Sequence, residues 1–392
     1  MVFQKKNPAS VLIIKLRHHG DVLLATPVAR TLKASFPTCH IDFLVYEGTE
    51  ALLKNNPDLR QVWLWPRVAR GWNLLRKILQ LFFQLRAQRY DLVIHLSDQM
   101  QGAFLAKLLA PRQAIGIDYP KRRHWFWRAC FSHLAPLFPS NTHHTVEQNL
   151  ATLQNWAQAS NIDKITLPDG IGLQSFCQYS MPDPNLHHCS RLVVSNEDRD
   201  FIHQQLQQKK ITTPYLLIHP TARWFFKCWE ENRFAEVMNY FATQGWPILV
   251  TSGPEPEEQA MVSKIIEQTR SPHVYSLAGQ LTLGQLAAAI EKAHLFIGVD
   301  SVPMHMAAAL QKKVVALFGP SKINEWHPWK TDYCLIKASD YGPLIDPDAV
   351  KTETTERYLS NIPVEAVIAA MEEILTEIEG MKGMTEKVKM EK

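Results

Sequence analysis

The stretch LFIGVDSVPMHMAAAL at residues 295–310 decides the fold. It opens with five residues that have the apolar character and the length of a buried strand, and it closes with a run of helix-forming residues. Between the two, Asp300 or Ser301 stands in N-cap position and Pro303 suits the first turn of a helix. A strand that turns directly into a helix is the unit from which parallel α/β sheets are built. The stretch therefore predicts an α/β protein with a parallel sheet.

The same turn is a candidate anion site. A helix N-terminus presents unpaired N–H groups and a positive dipole end, and α/β folds bind phosphates at the carboxyl ends of parallel strands. His305 follows Ser301 by about one helical turn and lies on the same face. The D-S-x-P pattern alone is typical of an ordinary capped helix. Together with His305 and the small residues that follow, it favours a binding site.

On both sides of this stretch, apolar runs of strand length alternate with amphipathic segments of helical length. The alternation predicts βαβ units, and 392 residues are enough for two domains of this kind. The strand candidates are 11–16, 41–46, 62–65, 91–96 and 114–117 in the first half, and 215–219, 247–252, 274–277, 295–299, 314–319 and 333–337 in the second. We therefore expect two doubly wound domains around a cleft.

A stretch rich in Pro, Gly and Asp breaks this alternation in mid-chain, as a linker would. The predicted organisation is an N-terminal domain at 1–165, a linker at 166–190, a C-terminal domain at 191–361, a helix at 362–380 and a disordered tail at 381–392.

Charge is divided unevenly between the two halves. Residues 1–190 hold 21 Lys and Arg against 12 Asp and Glu, a net charge of +9, whereas residues 191–392 hold 21 against 26, a net charge of −5. A basic half suggests a polyanionic partner, which could be nucleic acid, anionic lipid or a phosphorylated glycan. Charge alone does not choose among them.

Two segments of the basic half allow more than one interpretation. Residues 70–89 predict a helix with one apolar face, flanked by Arg70, Arg76, Lys77, Arg86 and Arg89. It either covers the sheet or rests on anionic lipid as a basic amphipathic helix. Residues 121–131, KRRHWFWRACF, form a membrane-facing or phosphate-binding loop, or a solvated turn that enters a helix.

Residues 216–229, LLIHPTARWFFKCW, form a second candidate half-site. A strand runs into Thr221, whose hydroxyl can bond a phosphate oxygen, and Lys227 supplies a mobile cation beside it. The aromatic residues 224–226 are either buried or wall a pocket. A lone lysine is usually a surface residue, so Lys227 is a candidate ligand only in combination with the other segments.

Residues 13–37, IIKLRHHGDVLLATPVARTLKASFP, form a third. The strand ends in Lys15 and Arg17, Gly20 permits a tight turn, and a helix begins near Asp21. A carboxylate in this position is either an N-cap or a general base.

The sequence lacks the motifs of dinucleotide, P-loop and metal sites. The sequence has no G-x-G-x-x-G, Walker lysine or H-E-x-x-H, and no D-x-D in a plausible place for a metal. Its adjacent histidine pairs lack the i,i+4 spacing of helical ligands, and its six cysteines are scattered as in a cytosolic protein with reduced thiols. No run approaches the roughly 18 to 20 apolar residues of a membrane span, and no signal peptide is recognised. We expect no metal and no cofactor.

Taken together, the three segments resemble the ADP-heptose:lipopolysaccharide heptosyltransferases, glycosyltransferase family 9, over residues 10–375. The resemblance implies a GT-B fold, in which two Rossmann-like domains face each other across a cleft. The R-H-H-G-D and V-P-M-H forms of the first and last segments are most similar to the third inner-core heptosyltransferase subfamily.

The resemblance also implies roles for residues. Asp21 would be the catalytic base. The donor would bind to Thr221 and Lys227 through its diphosphate, to Glu255 through its ribose, and to Asp300, Ser301, Val302, Pro303 and His305 through heptose and phosphate. Val302 stands where members often have Gly or Ala, yet its N–H can still point at phosphate. Candidates for acceptor phosphates are Lys15, Arg17, Arg122 and Arg123.

The implied reaction transfers heptose from ADP-heptose to a core heptose hydroxyl, with inversion and without metal. The acceptor would be the lipid A-linked inner core, and the protein would be peripheral to the cytoplasmic face of the inner membrane, where a basic domain suits anionic lipid. One alternative is a GT-B transferase of a UDP- or GDP-linked hexose, and another is a non-catalytic sugar-nucleotide-binding protein. Nucleic-acid binding would show steep salt dependence, and we expect no nucleic-acid partner.

Overall fold

The computed structural model describes residues 7–160, 162, 188–211 and 214–390, with side chains described as far as residue 378. Contacts divide the described chain at Val193, which ends unit 1, and Val194, which begins unit 2. Each unit is built on one six-stranded sheet. The described residues contain no helix with both the length and the apolar content that a bilayer span requires.

Unit 1 is a doubly wound α/β domain. Its strands are β1 (Ser10–Ile14), β2 (His40–Tyr46), β3 (Gln61–Trp65), β4 (Leu92–His95), β5 (Gln113–Ile117) and β6 (His133–Ala135). Its helices are α1 (His19–Leu23), α2 (Thr26–Ser35), α3 (Gly71–Ala87), α4 (Met100–Leu109), α5 (Trp125–Ala129) and α6 (Thr145–Ala159). The strands lie in the order β3-β2-β1-β4-β5-β6 and pair in parallel, which is the Rossmann order.

Unit 2 repeats this arrangement. Its strands are β7 (Leu216–His219), β8 (Ile248–Val250), β9 (Val274–Ser276), β10 (Leu295–Val299), β11 (Val314–Phe318) and β12 (Tyr333–Lys337). Its helices are α7 (Asn196–Gln208), α8 (Glu231–Thr243), α9 (Pro256–Gln268), α10 (Leu283–Lys292), α11 (Val302–Ala309), α12 (Ile323–Trp326) and α13 (Val364–Met390). The order β12-β11-β10-β7-β8-β9 is the same Rossmann order, and all pairs are parallel.

The topology fixes where a site can form in each unit. β1 lies beside β4 and β7 lies beside β10, so the strand order reverses between these pairs. Ligands of doubly wound sheets bind at the carboxyl ends of the strands at such a reversal. In unit 2 the approach is close, because a Cβ on Gly298 would stand 2.9 Å from the backbone oxygen of His219. Glycine is therefore required on β10 at this register.

Eleven predicted strands are confirmed, each within two residues at either end. Their apolar runs are continuous because helices cover both faces of the sheets, as in β1, where residues 11–14 are fully buried. β6 was not predicted, because His133–Ala135 is too short to show a periodic pattern. The predicted helix at 70–89 is confirmed as α3, and residues 121–131 do enter a helix, α5.

The end of the chain differs from the prediction. We expected a helix at 362–380 and a disordered tail at 381–392, but α13 continues to Met390. The segment after residue 380 contains no proline, and it consists largely of Lys, Glu and Met, which are good helix formers. The boundaries at 165 and 190 remain predictions, since residues 163–187 lie outside the described part of the chain.

Candidate active site

In unit 2, the turn between β10 and α11 carries a buried ion pair. Lys227 Nζ lies 2.5 Å from Asp300 Oδ2, and both side chains are largely shielded from solvent. Burial by itself would raise the pKa of Asp300, but attraction and hydrogen bonding to Lys227 outweigh it and hold the pKa below its ordinary value. The pair joins the loop after β7 to the end of β10, and Asp300 is therefore a carboxylate at neutral pH.

The N-terminus of α11 carries polar groups that no side chain caps. Ser301 is the N-cap, yet its side chain caps nothing, and Ser301 Oγ is buried without a hydrogen-bond partner among the described residues. Val302 and Pro303 form the first turn, so the N–H groups at this end are not capped by a side chain. His305, buried one turn further on, meets the ring of Trp326 edge-on at 6.4 Å. An unused hydroxyl beside a helix N-terminus suits an anionic group.

Aromatic residues hold the lysine in place. Lys227 ends a short 3₁₀ turn and places Nζ 5.1 Å from the centre of the Trp224 ring. Trp224 stacks on Phe226, which is buried, so the sequence 224–226 supplies both a core residue and one wall beside the cation. This cation–π contact orients the ammonium group toward Asp300.

Thr221 is hydrogen-bonded to a carboxylate that was not predicted from the sequence. Thr221 Oγ1 donates to Glu258 Oε2 at 2.5 Å, and the N–H of Gly253 donates to the same oxygen at 3.1 Å. Glu255 is the exposed N-cap of α9, and its contact with the donor ribose stays a prediction. Because β7 and β8 are neighbours, residues that follow their carboxyl ends must meet, and this topological signal could have pointed to Glu258.

A neutral histidine supports the same turn. His219 Nδ1 lies 2.9 Å from Thr251 Oγ1, which links the end of β7 to the end of β8. Burial lowers the pKa of His219 to about 3, so the ring is uncharged at neutral pH. The turn after β7 is thus held by hydrogen bonds, and its largely buried positive charge comes from Lys227.

In unit 1, Asp21 lies in the first turn of α1 beside a buried lysine. Lys15 Nζ is 3.8 Å from Asp21 Oδ1 and donates to the backbone oxygen of Leu96 at 2.9 Å. Burial lowers the pKa of Lys15, and the attraction of Asp21 opposes that shift. The N-cap of α1 is His18, so Asp21 does not occupy the cap position. Lys15 positions this carboxylate, and its contact with an acceptor phosphate stays a prediction.

The loop after β4 brings a second carboxylate to this edge. Asp98 Oδ1 is 3.0 Å from the guanidinium of Arg17, and Arg122 Nε donates to the backbone oxygen of Asp98 at 2.9 Å. Asp98 was not predicted, although β4 and β1 are neighbours and their ends must meet. Arg123 pairs instead with Asp118 at 3.4 Å and is well exposed. The structure therefore groups Asp21, Lys15, Arg17 and Arg122, and it leaves Arg123 outside the group.

Within the described ranges, no group of three or more His, Cys, Asp or Glu side chains could hold a metal ion. The charges at the two turns are paired carboxylates and cations, which suit proton transfer and anion binding.

A family model described as glycosyltransferase family 9 (heptosyltransferase) matches residues 78–357, more than half of the chain. The chain belongs to this family. The heptosyltransferase is 34% identical over 361 residues to lipopolysaccharide heptosyltransferase 3 of Escherichia coli, with 92% of this chain and 97% of the relative covered. The predicted family and enzyme class are therefore confirmed.

Solved structures share the fold of this heptosyltransferase. A glycosyltransferase family 9 structure from Veillonella parvula superposes with a TM-score of 0.76 at 23% identity, covering 94% of this chain and 97% of that one. The E. coli ADP-heptose lps heptosyltransferase II superposes with a TM-score of 0.71 at 19% identity, covering 94% and 99%. These likenesses, with the two Rossmann sheets, confirm the GT-B fold.

Proposed function

We propose that this enzyme transfers heptose from ADP-heptose to a heptose hydroxyl of the lipopolysaccharide inner core. The observation that carries the proposal is the likeness to lipopolysaccharide heptosyltransferase 3, which extends over nearly the whole of both chains. The turn geometry supports it, because each unit offers the kind of group that such a transfer needs. Unit 2 has an anion-binding turn, and unit 1 has a carboxylate suited to act as a base.

The donor would bind through its diphosphate at the N-terminus of α11. Asp300 already balances the charge of Lys227, so the uncapped N–H groups and Ser301 Oγ must supply much of the attraction for phosphate. Thr221 can donate to phosphate only after it releases Glu258, since its single hydroxyl hydrogen is in use. As the bond between the anomeric carbon and the phosphate oxygen breaks, this preorganised turn would stabilise the charge on ADP.

The acceptor would be activated by Asp21. Its carboxylate would take the proton from the acceptor hydroxyl while that oxygen attacks the anomeric carbon from the side opposite ADP, which inverts the configuration. Lys15 would keep the carboxylate in place, since Lys15 is itself fixed by Leu96. Arg17 and Arg122, which both contact Asp98 at this edge of the sheet, would meet phosphates of the inner core.

The place of action follows from the acceptor. An inner core linked to lipid A lies at a membrane, so the enzyme would work as a peripheral protein at the cytoplasmic face of the inner membrane. Its basic N-terminal half, with a net charge of +9 over residues 1–190, is the half that would meet these polyanions.

Turnover with ADP-heptose on core acceptors shortened one sugar at a time tests the proposal. We expect product only when the second core heptose is present, as the resemblance of the R-H-H-G-D and V-P-M-H segments to the third inner-core subfamily implies. A thermal-shift comparison of ADP, UDP and GDP tests the donor separately, and ADP should stabilise the enzyme most. Transfer of a UDP- or GDP-linked hexose without any transfer from ADP-heptose would contradict the proposal.

A further inference from the structure

Three helices of unit 1 form a layer on one face of its sheet. α3 packs beside α4 and α4 beside α5. Their inner sides belong to a single core with β1 and β4, to which they contribute Leu81, Leu85, Ala106 and Trp127. Arg86 of α3 also donates to the backbone oxygen of Leu108 at the end of α4, at 2.6 Å. The helix layer is therefore a continuous and well-anchored surface.

The outer side of this layer is unusually apolar. Trp72 and Trp125 are nearly four-fifths exposed and Phe83 is about two-thirds exposed. On α3 the exposed apolar residues recur every three or four positions, which places them along one side of the helix, away from the buried Leu81 and Leu85. We call the set the apolar face; it consists of Trp72, Leu75, Leu79, Phe83, Phe104 and Trp125.

The apolar face is continuous from α4 to α5. Phe126 of α5 stacks on the exposed Phe104 of α4 and meets Trp125 edge-on, so the aromatic surface passes from one helix to the next. Exposed aromatic residues scattered singly are normal in soluble proteins, whereas a contiguous group marks an interaction surface.

The charged side chains of the three helices all have one sign. The sequence has no Asp or Glu from residue 59 to residue 90, and α4 and α5 contain none either. The cations on or beside the layer are Arg70, Arg76, Lys77, Arg86, Lys107 and Arg128. Acids from outside the three helices come near: Glu47 lies 3.8 Å from Lys77, and Asp91 lines a surface pocket with Phe83 and Arg86. The surface therefore combines large apolar side chains with an excess of positive charge.

We infer that the apolar face docks unit 1 onto an anionic lipid bilayer. Tryptophan and phenylalanine side chains enter the boundary between headgroups and acyl chains, and arginine and lysine reach the lipid phosphates. A second copy of this chain fits less well, because a symmetric contact would set these cations against one another. The inference rests on the proposed function only for its purpose, which is to bring the site to a lipid-linked acceptor.

Co-sedimentation of the full-length enzyme with vesicles tests the inference. One set of vesicles contains phosphatidylcholine alone, and the other contains about one-third phosphatidylglycerol. One variant, Trp72→Gln with Phe83→Gln, removes two exposed rings, and a second, Arg70→Gln with Arg76→Gln, removes two exposed charges. The matched control is Tyr341→Gln, which removes an exposed ring from unit 2.

We expect wild type to sediment with the anionic vesicles and to stay in solution with the neutral ones. Each double variant should bind the anionic vesicles at least about tenfold more weakly, and Tyr341→Gln should bind like wild type. All four proteins should transfer equally to a soluble, delipidated acceptor, so a failure of the transferase proposal would be seen separately. The inference is overturned if the double variants bind like wild type. It is also overturned if sedimentation velocity shows a dimer that the ring substitutions dissociate while vesicles bind nothing.

Discussion

Asp21, the proposed general base, is held in place by the residues around it. Two carboxylates, Asp21 and Asp98, lie at the same edge of the unit 1 sheet. Asp98 is bound directly by Arg17 at 3.0 Å, whereas the nearest cation to Asp21 is Lys15 at 3.8 Å. Asp21 is therefore the carboxylate whose oxygens are less closely held by a neighbouring cation.

Substitution of Asp21 by Asn tests this assignment. The amide cannot accept the acceptor's proton, so we expect Asp21→Asn to lower kcat by roughly 10² to 10⁴ while ADP binding changes little. Asp98→Asn, which alters the neighbouring carboxylate, is the control and should lower kcat far less. Steady-state turnover with ADP-heptose and ADP inhibition measure the two effects. An Asp21→Asn enzyme with the wild-type kcat would remove Asp21 from the role of base.

Lys227 gives a second prediction at the scale of one residue, through the pKa of Asp300. In the folded enzyme the pKa of Asp300 is depressed, so the ion pair stabilises the fold above the ordinary Asp pKa of about 4. This contribution to stability is lost as the pH falls through the pKa that Asp300 has in the folded state. In Lys227→Met the burial of Asp300 is opposed only by the weaker effects of Ser321 and His305, and its pKa rises. We expect a loss of about 3 kcal/mol in the free energy of unfolding at neutral pH. The loss should shrink as the pH approaches about 4.

Urea denaturation of wild type and Lys227→Met between neutral pH and about pH 4 measures this difference. Lys322→Met is a useful control, because Lys322 pairs with Asp348 at an exposed position and should show a small difference that does not depend on pH. If the free energy of unfolding of Lys227→Met were lower than that of wild type by a constant amount at every pH, Asp300 would not carry the buried charge.

At the scale of elements, the packing of α4 against β4 depends on Gly102, because glycine has no Cβ. A Cβ on Gly102 of α4 would stand 2.5 Å from Cε1 of His95, whose ring is packed between Trp127 and Phe131. The ring has no room to give way, because His95 Nε2 is also 2.9 Å from the backbone oxygen of Gln99. Glycine therefore sets the distance between this helix and its strand.

Gly102→Ala should accordingly destabilise the enzyme by about 1–3 kcal/mol, even though alanine is the better helix former. Urea denaturation measures the loss. In a His95→Ala background the added methyl group has space, so the same substitution should cost much less there, and the double-mutant cycle gives the coupling. Equal losses in the two backgrounds would mean that the contact with His95 does not limit the packing.

At the scale of the whole molecule, each unit holds a buried, uncharged histidine. Burial lowers the pKa of His95 in unit 1 to about 4 and that of His219 in unit 2 to about 3. Below the ordinary histidine pKa of about 6.5, the unfolded chain binds protons that the folded chain does not. Stability is therefore fully present above that pH and is lost as the pH falls below it.

We expect the free energy of unfolding to fall by about 1.4 kcal/mol per pH unit for each of these histidines between about pH 6 and about pH 4. Urea denaturation in this range gives the slope. His95→Gln removes one of the two groups and should reduce the slope by about 1.4 kcal/mol per pH unit. It should leave the stability of unit 2 at neutral pH unchanged. A stability that is flat across the interval, or a slope that His95→Gln does not alter, would contradict the assignment.

Much of this enzyme could be predicted from its sequence, because much of it is local. Apolar runs bounded by turn residues defined eleven of the twelve described strands, and the strand-to-helix turns marked Asp21 and Asp300 as polar groups at strand ends. Each of these signals lies within one strand, one turn and the helix that follows. β6 was missed because three residues of mixed character carry no period.

What the sequence by itself determined is thus the fold class, the family and the turns where polar side chains gather. Only the tertiary structure decided which of those side chains meet. Glu258 bonds Thr221, 37 residues away, because β7 and β8 are neighbours, and Asp98 reaches Arg17 because β1 and β4 are. The same holds for the turn at 295–310, where Lys227 meets Asp300 across 73 residues. Strand order places these partners, and strand order depends on how all the helices cover both faces of a sheet, which no single stretch of sequence contains.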